Sequence, residues 1–343
     1  MNRNNKNNIL LWSLLLTVVI MIFINISSGS INIPVMDIFG ALFHSGSVSE
    51  TFKYIVLEYR LPKVFTAILT GSGLAVSGLL MQTLFRNPLA GPYVLGLSSG
   101  ASLGVALVLM GASVFGGIFG IALISKWSLV IAASLGSLLV LFAVLTASSK
   151  LKDTMAILII GLMFASLTAA VVSVLAYFSP AAQLQQYIFW SFGSIGNLSW
   201  PEVDILGFFW LTGLLLAVFC LKDLNSLLLG EHYASSLGVN IKKNRFLLIL
   251  STSLLAGSIT AFAGPIAFIG LAVPHLIRQV IPANDHKILF PAVIMGGAIL
   301  MMICDTVAQL PGSEYSLPIN AITSLIGAPV VIWLLVRKRK FLF

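Results

Sequence analysis

Gly71-SGLAVSGLLMQTLFRNPLAGPYVLGLSSG-Ala101 decides the fold class of this chain. It contains two membrane-length apolar runs joined by Arg86-Asn87-Pro88, and both runs are crowded with Gly and Ser. Pro88 lacks a backbone N–H and biases Asn87 away from helical geometry, so a helix is expected to end there. Gly71, Gly73, Gly78, Gly91, Gly96, Gly100 and Gly104 permit close backbone approach, which suits helices packed on helices in lipid. On physics alone the stretch is a helical hairpin of a membrane protein.

Working outward, hydrophobic residues make up 58% of the 343 and charged residues 9%, against about 25% charged in soluble domains. A soluble fold of this length could not hide so much apolar surface in one core. The expected fold class is therefore an all-α integral membrane protein. Ten-residue segments of alternating polarity are missing from the sequence, which argues against a β-barrel. Apolar segments fall at 9–27, 63–85, 93–112, 127–148, 154–178, 203–221, 246–264, 266–281, 288–310 and 318–336. They give about ten transmembrane helices in a single polytopic domain over 1–343. The segment at 266–281 is short and contains Pro274 and His275. A further apolar run at 113–124 is expected to extend the third helix or to lie in the interface.

The basic residues test this count. With the N-terminus in the cytoplasm, Arg3, Lys6, Arg86, Lys150, Lys152, Lys222, Lys242, Lys243, Arg245, Arg278, Lys287, Arg337, Lys338, Arg339 and Lys340 fall inside. Only Lys53, Arg60, Lys63 and Lys126 fall outside. That asymmetry obeys the positive-inside rule and places both termini in the cytoplasm. The net charge of +8 then reads as a cytoplasmic rim facing anionic lipid and requires no nucleic acid. Arg3 and Lys6 precede an apolar run without a small-x-small cleavage site before Asn25-Ile-Ser-Ser-Gly-Ser30, so a retained first helix is expected. Cys220 and Cys304 fall near opposite faces in this topology, which excludes a disulfide between them. Both are expected to be packing residues.

Two outer segments stand out. The first, 28–62, holds Pro34 and a mildly amphipathic stretch from Val35 to Ser45, expected along the membrane surface. It ends in Tyr59-Arg60-Leu61-Pro62-Lys63, with Pro62 suited to a first helical turn. The second, 179–202, has no charge before Glu202 but carries Gln183, Gln185, Gln186, Ser191, Ser194 and Asn197 among aromatics. Two readings stay open: a partly helical segment dipping toward a cavity, or an interfacial helix in an aromatic belt.

The inner loop 222–245 is the one sizeable polar stretch on the cytoplasmic side. Gly230 and Gly238 bracket a short helix, Glu231–Leu237, with Glu231 suited to the helix dipole and Gly238 to the stop. Tyr233, Ala234 and Leu237 form a small apolar face. It either rests on lipid headgroups or plugs a groove on another protein.

Catalytic patterns are missing. The sequence has no G-x-x-x-x-G-K-[ST] phosphate loop, so ATP hydrolysis must come from a separate polypeptide. It has no His-x-x-x-His, Cys-x-x-Cys or carboxylate cluster to hold a metal, and no cofactor is expected on this chain. A proton- or sodium-coupled carrier is the alternative, but such proteins keep ionisable groups at mid-bilayer. Here Asp305 is the main intramembrane charge, read as a partner in helix–helix or water hydrogen bonds. His275 and Arg278 flank Pro274, and His275 is not expected to be catalytic.

Ser77 through Ala101 reads S-G-x-x-x-Q-x-x-x-x-N-P-L-A-x-P-x-x-L-G-x-x-x-G-A. This wording resembles the permease subunits of bacterial ABC importers for iron–siderophore, haem and cobalamin (FecCD-like, type II importers). Similar wording recurs from Tyr59 to Leu335. Trp190-Ser-Phe-Gly-Ser194 matches W-x-x-G-S, and Leu229–Val239 matches L-G-x-x-x-A-x-S-L-G-V. Gly264–His275 matches G-P-I-x-F-I/V-G-L-x-x-P-H, and Leu317–Pro329 matches L-P-x-G-x-x-T-x-x-x-G-x-P except for Asn320.

The resemblance implies a permease in the cell inner membrane, dimerised with itself or a paralogue. Two cytoplasmic ATPases using ATP and Mg would drive it, and an external binding protein would deliver a metal chelate, iron–siderophore before haem or cobalamin. Gly230, Glu231, Ala234, Ser236, Leu237 and Gly238 would then couple to the ATPase. Arg60 and Lys63 would dock the binding protein, although Lys63 stands where the second Arg of R-L-P-R is usual and Gln309 replaces another outer cation. Trp190, Gly193, Ser194, Pro274, Thr323, Gly327 and Pro329 would border or hinge the path, and the mechanism would be alternating access.

Overall fold

The computed structural model describes residues 3–29, 31, 33–43, 49–111, 125–151, 154–310 and 315–337. The run at 113–124 lies outside them, as do Lys152, Lys338, Arg339 and Lys340. Among the described residues every regular element is helical. In chain order these are α1 (Arg3–Ser27), α2 (Val35–Leu42), α3 (Glu50–Tyr54), a π-helical turn (Ile55–Arg60) and α4 (Leu61–Leu84). After a 3-10 turn (Pro92–Leu95) come α5 (Leu97–Leu109), α6 (Lys126–Lys150), α7 (Thr154–Tyr177), α8 (Ala181–Ser191) and α9 (Trp200–Phe219). The remainder are α10 (Leu221–Leu227), α11 (Glu231–Ser236), α12 (Ile241–Ala263), α13 (Ile269–Val280), α14 (His286–Ala308) and α15 (Ile319–Arg337).

The ten expected apolar segments coincide with α1, α4, α5, α6, α7, α9, α12, α13, α14 and α15. Seven of these helices are long and apolar enough to cross a membrane. The apolar stretches of α5 and α15 are shorter. The 12 residues of α13 reach only about 18 Å, short of a hydrocarbon core of about 30 Å.

One outer segment differs from expectation. α2 forms where the amphipathic stretch predicts a surface helix, but α3, the π-turn and α4 run on as one apolar helix from Glu50 to Leu84. Pro62 therefore sits inside a continuous helix. The Leu61 N–H bonds the Val56 carbonyl, five residues back, which widens the turn just where a proline ring would crowd the chain.

The chain divides into two compact units. One comprises Met1–Val76, Ser194–Phe208 and Ile266–Lys340; the main part of the other comprises Ser77–Gly193 and Phe209–Pro265. In the first unit α1 lies along α14, and α4 crosses α14 where two glycines meet. A Cβ on Gly71 would fall on the Gly297 carbonyl, and one on Gly297 on the Gly71 carbonyl. In the second unit α5 packs along α6 in the same way, with Gly100 against Gly136 and Gly104 against the Ala132 carbonyl. Small residues at the crossings, with large apolar side chains such as Trp12, Leu16, Leu162 and Leu167 turned outward, are the pattern of helices packed in lipid.

The Asn87-Pro88 joint behaves as its sequence requires. α4 ends at Leu84, and the Arg86 and Asn87 N–H groups bond the Thr83 and Gln82 carbonyls. This closes a Schellman motif with Arg86 left-handed at φ 45°. The Asn87 side chain then accepts from the Leu89 N–H at 2.9 Å.

Candidate functional site

The short helix α11, in the loop expected on the inner side, is built as its glycines predict. Gly230 caps its start at φ 107°, a conformation open to glycine, and Gly238 follows its end at φ 87°. The Gly238 N–H bonds the Ser235 carbonyl and the Val239 N–H bonds the Ala234 carbonyl, a second Schellman closure. Glu231 is fixed by Arg245 at 3.0 Å, and Arg245 also donates to the Leu151 carbonyl at 3.0 Å. Arg245 is only 5% exposed. The pair thus pins one end of α11 to α12 and to the end of α6, which fixes where α11 points.

The expected apolar face of α11 is split by the structure. Ala234 is fully buried, whereas Tyr233 and Leu237 are exposed. Ala234 therefore anchors α11 to the protein, and of that apolar face Tyr233 and Leu237 remain outside, among the exposed His232, Ser235, Ser236 and Gly238. Arg86 approaches this site from the α4 joint: its Nη1 lies 3.4 Å from where a Cβ on Gly230 would stand.

At the other candidate site the two cations are engaged within the chain. Arg60 donates to the carbonyls of Ile26, Ser27 and Ile31. Ile26 and Ser27 form the last turn of α1, where carbonyls lack helical partners and favour a cation. Lys63 pairs with Asp305 at 3.2 Å, with Lys63 21% and Asp305 4% exposed. Asp305 also accepts from Asn25 at 2.8 Å and from Gln309 at 2.6 Å. Asn25 donates further to Thr306 at 3.0 Å. This cluster ties α1, α4 and α14 together. Asp305 makes the interhelix hydrogen bonds expected of it. The sequence signal for its partners Asn25 and Gln309 is slight: one amide near the end of an apolar run and another one turn beyond the aspartate.

The expected path and hinge residues fall on several elements. Trp190 lies on α8, stacked on Tyr187 at 6.2 Å, and Tyr187 hydrogen-bonds Ser102 of α5. Gly193 has φ 71° and meets Gly264, where a Cβ would stand 2.8 Å from the Trp190 carbonyl. Ser194 is exposed in the following turn. Residues 264–268 form no helix, and Phe268 is left-handed at φ 66°. Pro274 lies within α13, and Pro329 within α15. Thr323 is fully buried and donates to the Asn320 carbonyl at 3.1 Å. Gly327 lies directly beneath Phe268, where any Cβ would overlap that side chain. Asn320 accepts from the Ala267 N–H at 3.1 Å and so ties the irregular segment to α15. Among the described residues no cluster of three or more His, Cys, Asp or Glu is arranged to hold a metal, and both cysteines are free and buried.

An all-α fold with several membrane-length apolar helices crossing at glycines defines a polytopic membrane protein. The chain belongs to the FecCD transport family, whose model matches residues 16–337. It is 36% identical over 329 residues to the hemin transport system permease protein HmuU of Yersinia pestis, covering 95% of this chain and 96% of that one. It is 37% identical over 298 residues to the vitamin B12 import system permease protein BtuC of Klebsiella pneumoniae, covering 85% of each. Among solved structures it superposes on an inward-facing metal-chelate type ABC transporter with TM-score 0.83 and 29% identity, covering 96% of this chain and 99% of that one. The type II importer permease fold expected from the sequence is the fold observed. The protein is a membrane-embedded permease subunit of an ABC transporter.

Proposed function

We propose that this chain carries an iron chelate inward across the inner membrane as one of two permease subunits, identical or paralogous. Two ATPases drive it with ATP and Mg from the cytoplasm, and an external binding protein delivers the cargo. Iron–siderophore is the first candidate. The names of the relatives, a hemin and a vitamin B12 permease, support a bulky metal chelate as the cargo class. Both termini and α11 are assigned to the cytoplasm, in keeping with the distribution of Lys and Arg.

The observation that carries the reading is α11, a short helix closed by glycines at both ends and pinned by the Glu231–Arg245 pair, with Tyr233 and Leu237 exposed. Two exposed apolar side chains on a fixed helix suit a groove on a partner. Deleting Glu231–Leu237 is expected to abolish co-purification of the cognate ATPase while the permease remains in the membrane. Retained co-purification would remove the coupling assignment.

Docking of the binding protein on Arg60 and Lys63 is a weaker-charged interaction, since both cations already have partners. Its contribution would be steering, which salt screens. Affinity for the binding protein in nanodiscs should fall with ionic strength and fall further in Lys63→Gln. An unchanged affinity in folded Lys63→Gln would dismiss docking at this residue.

A further inference from the structure

Beside α11 the second unit holds a cavity of about 550 Å³, lined in part by Leu216, Phe219, Asp223, Asn240, Lys243 and Leu247. Its walls change character with depth. Leu216 and Phe219 belong to the last turn of α9, and Leu247 lies in the second turn of α12. These side chains continue the apolar surface of two membrane-length helices. The polar part comes from just beyond the spans. Asp223 lies in α10, Asn240 caps α12, and Lys243 is in the first turn of α12.

The polar groups are prepared on both sides. Asp223 accepts from the Asn244 amide at 2.7 Å, which holds the carboxylate against α12. The Asn240 side chain takes the Lys243 N–H at 3.0 Å, which fixes the helix N-terminus at the cavity rim. Among the described residues neither Asp223 nor Lys243 has an ion-pair partner, although both line this one cavity. Two opposite charges held apart, with apolar walls on the membrane side, match a ligand that is zwitterionic at one end and apolar at the other.

We propose that this cavity binds a phospholipid of the cytoplasmic leaflet through a phosphoethanolamine headgroup. The phosphate meets the Lys243 ammonium in a charge-assisted contact that favours anions. The primary ammonium donates to Asp223. A quaternary choline has no N–H to donate, so it satisfies the carboxylate less well. A headgroup with a net negative charge is disfavoured by Asp223. Leu216 and Leu247 belong to membrane-length apolar helices, which suits the acyl end of a lipid, although Leu237 of the coupling loop also lines the cavity. The lipid therefore sits where it braces α10 and the start of α12, the two elements that flank the coupling helix.

The placement at the cytoplasmic leaflet rests on the orientation given under the proposed function. The lipid experiment uses the purified permease alone with point variants outside Glu231–Leu237, so its failure leaves ATPase coupling untouched. The protein would be assembled in nanodiscs containing equal amounts of phosphatidylethanolamine, phosphatidylcholine and phosphatidylglycerol, and its retained lipids weighed by native mass spectrometry. Phosphatidylethanolamine should be enriched over phosphatidylcholine about fivefold, the scale of one juxtamembrane charge contact. Lys243→Gln, a change at an exposed side chain, and Asp223→Ala should each bring the ratio toward parity, with folding checked by thermal melting. Parity in the unmodified protein, or enrichment unchanged in folded Lys243→Gln, overturns the proposal. Loss of the enrichment on adding soluble glycerophosphoethanolamine would assign the site to a free headgroup and overturn the lipid.

Discussion

The Lys63–Asp305 contact sets the terms at the residue scale. Asp305 is almost fully buried and has three side-chain partners, so its charge is tolerated because it is paired and hydrogen-bonded. Removing the cation alone leaves a buried carboxylate uncompensated, at a cost of about 3 kcal/mol. Lys63→Met should therefore lower the melting temperature of the purified protein markedly. The double variant Lys63→Met/Asp305→Asn should recover most of the loss, and a double variant no better than the single one would show that the pair is not coupled. Asn320 offers a second residue-scale test. Its side-chain oxygen accepts from the Ala267 N–H. Asn320→Gly should cost about 1–2 kcal/mol, from the lost hydrogen bond and from glycine in a helix. Asn320→Asp, which keeps the acceptor, should retain most of the stability; equal losses in both variants would contradict this role.

At the scale of elements, packing of α5 against α6 depends on Gly100, Gly104 and Gly136. Gly104→Leu would drive a side chain into the Ala132 carbonyl, and overpacking of this kind costs about 1–3 kcal/mol or more. The expected result is a large fall in membrane-extracted, monodisperse protein, whereas Gly91→Ala, where nothing lies within 4 Å, should be neutral. These elements were legible in sequence because glycine and apolar run length are read directly. The ends of α11 were equally legible, since Gly230 and Gly238 are required there by positive φ. The merger of α3 with α4 was not. Proline at position 62 ordinarily marks a helix start, and only the π-turn before it lets the helix continue. The partners of Arg60 and Lys63 were hidden for another reason. They come from α1 and α14, distant in sequence, and local pattern carries no information on which apolar helices will meet. The inward turn of Ala234 is not legible in sequence, because a six-residue helix shows too few positions to tell its buried side from its free one.

For the whole molecule, the fold supplies two compact units, membrane-length apolar helices, a broken segment before α13 and the pinned helix α11. Among the described residues no metal cluster forms, and the proposed function has the free energy for uphill transport enter through the partner ATPases. Ligand-driven shifts between packings of such helices require differential binding to the two states, and the exposed Tyr233 and Leu237 are where a cytoplasmic motor would apply it. Tyr233→Ala/Leu237→Ala should leave ATPase activity of the assembled complex measurable while transport per ATP falls several-fold. Unchanged coupling in that variant would move the transmission point elsewhere.

The most direct measurement is uptake of a radiolabelled iron chelate into proteoliposomes containing the permease with its ATPase, supplied with the binding protein outside and ATP with Mg inside. The account predicts accumulation only when ATP is enclosed, none with a proton or sodium gradient in its place, and none when Glu231–Leu237 is deleted. Concentrative uptake by the permease alone on an ion gradient would contradict it.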